Sequence, residues 1–143
     1  MTQTTLNWLQ ENEYSKDDLN LQGSFGNTAL MKSAREGNES VVKELLDEGA
    51  DITLKNRDGN TALWLACFSD NAKIVKMLID RGIEIDTVNE NGVTSLMYTA
   101  SSGKEEMVKI LIDAGADRNI KNDDDFSALD LAVTPKILKL LRR

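Results

Sequence analysis

The 143-residue chain carries 17 Lys and Arg against 24 Asp and Glu, a net charge of −7, with no histidine and one cysteine, Cys67. This balance disfavours nucleic acid and anionic membranes and favours neutral or basic protein partners, while the missing histidine and lone cysteine exclude an ordinary zinc site and the commonest general base. No apolar run approaches the roughly 20 residues that span a bilayer, residues 1–10 lack a secretory pattern, and an internal disulfide is impossible, so one cytoplasmic domain without cofactor or metal is expected.

One period organises the predicted elements. Thr28, Thr61, Thr94 and Ser127 are each 33 residues apart, as are Leu30, Leu63, Leu96 and Leu129. Gly49, Gly82 and Gly115 keep the same step. A fixed period of this size marks a solenoid of stacked supersecondary units. Residues 1–22 precede the first full unit but share its register, because Asp18-Leu19-Asn20-Leu21 aligns with Asp51-Ile52-Thr53-Leu54. That alignment predicts a helix over 6–14, capped by Thr4 or Thr5, whose Leu6, Trp8 and Leu9 cover the open end of the stack.

Each full unit then reads as helix, turn, helix and extended loop. The hydroxyl residues at 28, 61, 94 and 127 are placed to cap the first helix. That helix stops at Gly37, at Asp70-Asn71 and at Gly103, residue types that tolerate the left-handed region. The second helix starts near Asn38, Asn71 or Lys104 and places Val41, Val42, Leu45 and Leu46, then Ile74, Val75, Leu78 and Ile79, then Met107, Val108, Leu111 and Ile112 on one inward face. In the last unit Pro135 arrives early and suits a first helical position. Lys136, Lys139, Arg142 and Arg143 give its final helix a wet face and a basic end, an atypical terminal cap.

These residues resemble the ankyrin repeat, a 33-residue unit carrying T-P-L-H-x-A. Here the motif reads Thr28-Ala29-Leu30-Met31-Lys32-Ser33, Thr61-Ala62-Leu63-Trp64-Leu65-Ala66 and Thr94-Ser95-Leu96-Met97-Tyr98-Thr99. Three complete units, 23–55, 56–88 and 89–121, lie between partial ones at 1–22 and 122–143. The motif proline is replaced by Ala or Ser, and the histidine by Met31, Trp64, Met97 and Asp130; the second change removes hydrogen bonds made in the family and implies lower stability. The resemblance implies an all-α solenoid of stacked helix-turn-helix units with protruding β-turn loops. It also implies protein binding on a concave face, as adaptor or scaffold, an inference from fold alone.

On that face the first helices offer Lys32, Arg35 and Glu36, then Leu65, Phe68 and Ser69, then Tyr98, Ser101 and Ser102. The turn tips add Ser24, Phe25 and Asn27; Arg57, Asp58 and Asn60; Glu90, Asn91 and Val93; Asp123, Asp124 and Phe126. Four of the chain's seven aromatic residues fall in these sets, and aromatics dominate interface hot spots. Leu65, Phe68 and Tyr98 are expected to project side by side as an apolar centre within a charged rim. Trp64 is expected to pack between units, and Cys67 to be an inert buried thiol. Asp123-Asp124-Asp125 lacks the spacing of a calcium loop and reads as a solvated acidic turn.

No phosphate-binding glycine pattern, activated nucleophile or metal set appears, so a non-enzymatic binding module is the expectation. The alternative is a stoichiometric inhibitor or immunity protein that sequesters a basic target. An acidic start (Glu11, Glu13, Asp17, Asp18) and a basic final helix would permit head-to-tail stacking; a monomer is expected.

Overall fold

In the computed structural model, which describes residues 1–142, Thr28 and Thr94 each accept an N–H from three residues on, at 3.2 Å from Met31 and Met97. Ser127 closes a capping box with Asp130. These caps open α2 (Ala29–Glu36), α6 (Ser95–Ser101) and α8 (Ala128–Leu131). Thr61 differs. It keeps the extended cap backbone, with ψ of 175°, but makes no side-chain cap bond, and α4 (Ala62–Phe68) starts at the same register. Asn38 and Asn71 cap α3 (Glu39–Asp47) and α5 (Ala72–Asp80) through their side chains. Lys104, with no acceptor, precedes α7 (Glu105–Asp113), where Glu105 and Glu106 face the helix's positive end instead. Gly37, Asp70 and Gly103 all take positive φ after the first helices.

The N-terminal helix corrects the sequence expectation. It is α1 (Gln3–Glu11), capped by Thr2, which accepts from the Thr5 N–H. Thr5 is buried instead, its hydroxyl bonded to the Glu44 carboxylate. Leu9 and Trp8 join the core, and Leu6 is only half-buried. Tyr14 lies beyond the helix, its ring 6.0 Å from that of Trp8 and its hydroxyl donating to the Asn27 carbonyl at 2.8 Å.

Two helical layers result. In one, α2, α4, α6 and α8 pack in succession; in the other, α1, α3, α5, α7 and α9 (Pro135–Leu141) do the same. The seam between them buries Leu30, Leu63 and Leu96 together with Val42, Leu45, Ile74, Leu78, Met107 and Leu111. Leu129 in the four-residue α8 is only half-buried, because the chain returns to extended backbone at Ala132. Ile79 and Ile112, expected fully inward, are half-buried at the layer's edge. Lys136 and Arg142 lie on the wet face of α9; Arg143 is outside the described residues. Among the described residues there is no strand, and no helix long and apolar enough to cross a membrane.

The loops stack as a ladder. Arg57 N–H donates to Phe25 C=O at 3.0 Å, Glu90 N–H to Asp58 C=O at 3.1 Å, and Asp123 N–H to Asn91 C=O at 3.1 Å. Within the last three turns an asparagine side-chain oxygen holds two N–H groups: Asn56 those of Asp58 and Asn60, Asn89 those of Asn91 and Val93, Asn122 those of Asp124 and Phe126. Neighbouring turns come so close that a Cβ on Gly59 would lie 2.9 Å from the Glu90 nitrogen. Only glycine fits there.

Candidate functional site

The first helices are short and buried round most of their circumference, since each is flanked by the preceding and following ones. In α4, Ala62, Leu63, Leu65, Ala66 and Cys67 are all inside. What remains outward is Trp64 and Phe68, four residues apart and therefore on one stripe. Their rings stack with centroids 6.0 Å apart, and Trp64 meets Tyr98 of the next unit at 4.3 Å. The three rings form a continuous aromatic patch across two units.

Leu65 is a correction. Expected to project, it is 5 % exposed. The reason lies one residue earlier: Met31 and Met97, at positions matching Trp64, are buried, whereas the indole is too large for that slot and emerges half-buried toward Phe68 and Tyr98. Leu65 becomes floor rather than anchor. Trp64 was expected to pack between units, and it is half-buried against the core and against Tyr98 of the next unit; its Nε1–H is buried without an acceptor. The signal for its outward stripe was present as the 64/68 spacing. Asn60 is also a correction, buried at 6 % because its N–H and C=O are both bonded to Asn56. Asn27 is buried likewise and accepts from the Asn56 side-chain amide at 2.9 Å.

Cations frame the patch. The Arg35 guanidinium lies 5.5 Å from the centre of the Phe68 ring, a cation–π distance. Lys104 reaches back from the third unit, donating to the Phe68 carbonyl at 3.1 Å, pairing loosely with Asp70 and standing 5.9 Å from the Tyr98 ring centre. Burial pushes the Tyr98 hydroxyl above its ordinary pKa. Between this patch and the first two turns runs an open groove of about 310 Å³, lined by Phe25, Asn27, Arg35, Asn56, Asp58, Asn60, Trp64, Leu65 and Phe68.

Phe25 forms the groove's far wall. It is 66 % exposed at φ 60°, inside a 3-10 turn over Ser24–Gly26. The conformation follows from Gly23, which stands where the later turns carry Asn56, Asn89 and Asn122. Any Cβ there would lie 3.2 Å from the Tyr14 hydroxyl. The first turn therefore lacks the asparagine clasp, and Phe25 takes the left-handed region.

The other expected residues divide. Arg57, Asp58, Glu90, Asn91, Ser101 and Ser102 are exposed and Lys32 is half-exposed. Glu36 is exposed but accepts the Trp8 indole N–H at 3.0 Å. The Ser69 hydroxyl is committed to the Ala34 and Ala66 carbonyls, tying α4 to α2. Val93 is half-buried, while Ser24, Asp123 and Asp124 stay exposed on the turns. Phe126 is 48 % exposed on the last turn, outside the groove. Cys67 is fully buried and its thiol is pushed up to about 12 by that burial.

A family model described as ankyrin repeats (3 copies) matches residues 2–89 and 82–142. No curated protein matches the chain.

Proposed function

Because the chain belongs to the ankyrin-repeat family, whose repeats are generally protein–protein interaction modules, we propose that it binds a partner protein across its concave face as an adaptor or scaffold. The observation carrying this reading is the Phe68–Trp64–Tyr98 patch, which spans two units with Phe68 still 45 % exposed. Arg35 lies against Phe68 and Asp58 lines the groove beside it, and in this reading Lys32, Arg57 and Glu90 complete a polar rim around the apolar centre. Division into full units at 23–55, 56–88 and 89–121 with partial end units is part of the same reading.

The test pairs melting temperature with partner affinity. Phe68→Ala should weaken affinity by about 2 kcal/mol with little change in melting, and single rim charges should cost less than about 1 kcal/mol. Tyr98→Ala should cost both affinity and stability, since its ring is half-buried against Trp64. Unchanged affinity in Phe68→Ala would move the interface elsewhere.

A second reading is a stoichiometric inhibitor or immunity protein that captures a basic target, favoured by the net charge of −7. Its association rate should fall steeply between about 0.01 and 0.15 M salt as the screening length shrinks. A flat rate would remove that reading and leave the adaptor.

A further inference from the structure

The net charge is negative, yet three cations expected on this face, Lys32, Arg35 and Arg57, make no ion pair. Among the described residues Lys16, Lys55, Lys76, Lys139 and Arg142 also make no ion pair, while Lys43, Lys73, Arg81, Lys104, Lys109, Lys121 and Lys136 do. What sets Arg35 apart is therefore its place rather than its lack of an ion pair. Arg35 is held against Phe68 on the groove wall. Its nearest acidic neighbour along α2, Glu36, is engaged by the Trp8 indole. The groove itself is walled by two exposed aromatics, Phe25 and Phe68, and floored by Trp64 and Leu65.

We propose that this groove is a subsite for an acidic–apolar peptide segment of a protein partner, seating one large apolar side chain between Phe25, Trp64 and Phe68 while a carboxylate from the same segment pairs with Arg35. The inference deepens the concave-face reading and rests on it. An extended chain advances about 3.3 Å per residue, and the guanidinium is 5.5 Å from the Phe68 ring centre. The carboxylate therefore belongs one to three residues from the apolar anchor. Arg35 would meet it with a planar fork of donors, while Lys32, which lines the neighbouring pocket with Phe25 and Arg35, and Arg57, whose N–H bonds the Phe25 carbonyl, add attraction without geometry. A polyanion such as single-stranded nucleic acid fits less well, although stacked aromatics beside cations resemble such a site. Asp58 stands in the groove lining, and the surface as a whole repels a dense run of phosphates.

The experiment pans a random dodecapeptide display library against the intact chain. Enriched sequences are then synthesised with a fluorescent label and measured by anisotropy, and amide shifts are mapped by NMR. Enriched peptides should combine an aromatic or large aliphatic residue with Asp or Glu within three positions, and should shift amides in α2, α4 and the first two turns. Arg35→Glu should weaken them at least tenfold and Arg35→Gln about threefold, with melting unchanged, because Arg35 is exposed and bonds nothing else. Peptides that map to this face but carry Lys or Arg flanks, or that Arg35→Glu leaves unaffected, would overturn the acidic subsite and leave the concave-face reading standing. Shifts confined to α3, α5 and α7, or no enrichment, would overturn both. A twelve-residue oligo-dT probe should not bind; saturable binding in the groove would replace the peptide assignment.

Discussion

Cys67 shows how one buried position ties packing to chemistry. It occupies the small-residue face of α4, fully buried, and its thiol pKa is raised by desolvation to about 12. A thiol held neutral in this way is a poor nucleophile. The shift also makes stability pH-dependent with a definite sign. The folded value lies above the unfolded one, near 9, so the contribution is fully present below pH 9 and is lost as pH rises toward 12. Tyr14 and Tyr98, both raised by burial, act in the same direction. We expect the melting temperature to fall above pH 9, and Cys67→Ala to flatten that decline while leaving the tyrosine share. A thiol reagent at pH 8 should label wild-type protein only as fast as it unfolds. Rapid labelling of the native protein would contradict the burial.

Between elements, the turn ladder is the most demanding feature, because it needs glycine for two separate reasons at one position. Gly59 has φ 79°, and its missing Cβ makes room for the Glu90 nitrogen at 2.9 Å; Gly82 has φ 82° but nothing within 4 Å. Gly82→Ala should cost only the left-handed penalty, about 1–2 kcal/mol. Gly59→Ala should cost that and also push the Asp58–Glu90 rung apart, adding roughly 1 kcal/mol for a lost backbone bond. Equal losses by chemical denaturation would mean the rungs contribute nothing. The conformational need at Gly82, and the caps at Thr28, Thr94 and Ser127, were legible in the sequence, since each depends on a residue and its near neighbours. The register of the second helices was legible for the same reason: spacings of three and four define their inward face. The outward stripe of α4 was legible only as the 64/68 spacing, which does not by itself choose between Trp64 and Leu65. Whether Leu65 or Trp64 projects depends on one slot in the seam being methionine-sized, a property of the packed neighbours. Asn60 was misplaced because the clasp that draws it inward comes from Asn56 and the stacking turn. At the N-terminus the sequence pointed to Thr4 or Thr5 as the cap and missed Thr2, because Glu44 on α3, which takes the Thr5 hydroxyl and the Thr2 N–H, lies 39 residues from Thr5 in sequence.

For the molecule as a whole, a stack in which each unit touches only its neighbours is as sound as its ends. The two ends differ. At the C-terminal side α8 has a single turn, and Val133 beside it is 61 % exposed. At the N-terminal side α1 is pinned at several points: Thr2 and Thr5 to Glu44, the Trp8 indole to Glu36, and Tyr14 to Asn27. Deleting residues 1–17 removes all of these and uncovers apolar surface on α2 and α3, so the truncated chain should melt lower and self-associate at micromolar concentration. It should also lose the Tyr14 contact that crowds Gly23, freeing the Phe25 turn and weakening ligands that use the groove. Glu44→Gln tests the same end more gently. The Glu44 carboxyl is held below its ordinary value first by the Thr5 hydroxyl, then by the Thr2 N–H. A lowered folded pKa stabilises above the unfolded value of about 4.5 and ceases to do so as pH falls through the folded one. The melting difference between wild type and Glu44→Gln should thus be present at pH 7 and shrink as pH falls below about 4.5. In amide exchange at pH 7 the variant should open α1 first, leaving α4 and α6 protected. Uniform loss of protection along the stack would show that the cap is part of one cooperative unit rather than an end that frays alone.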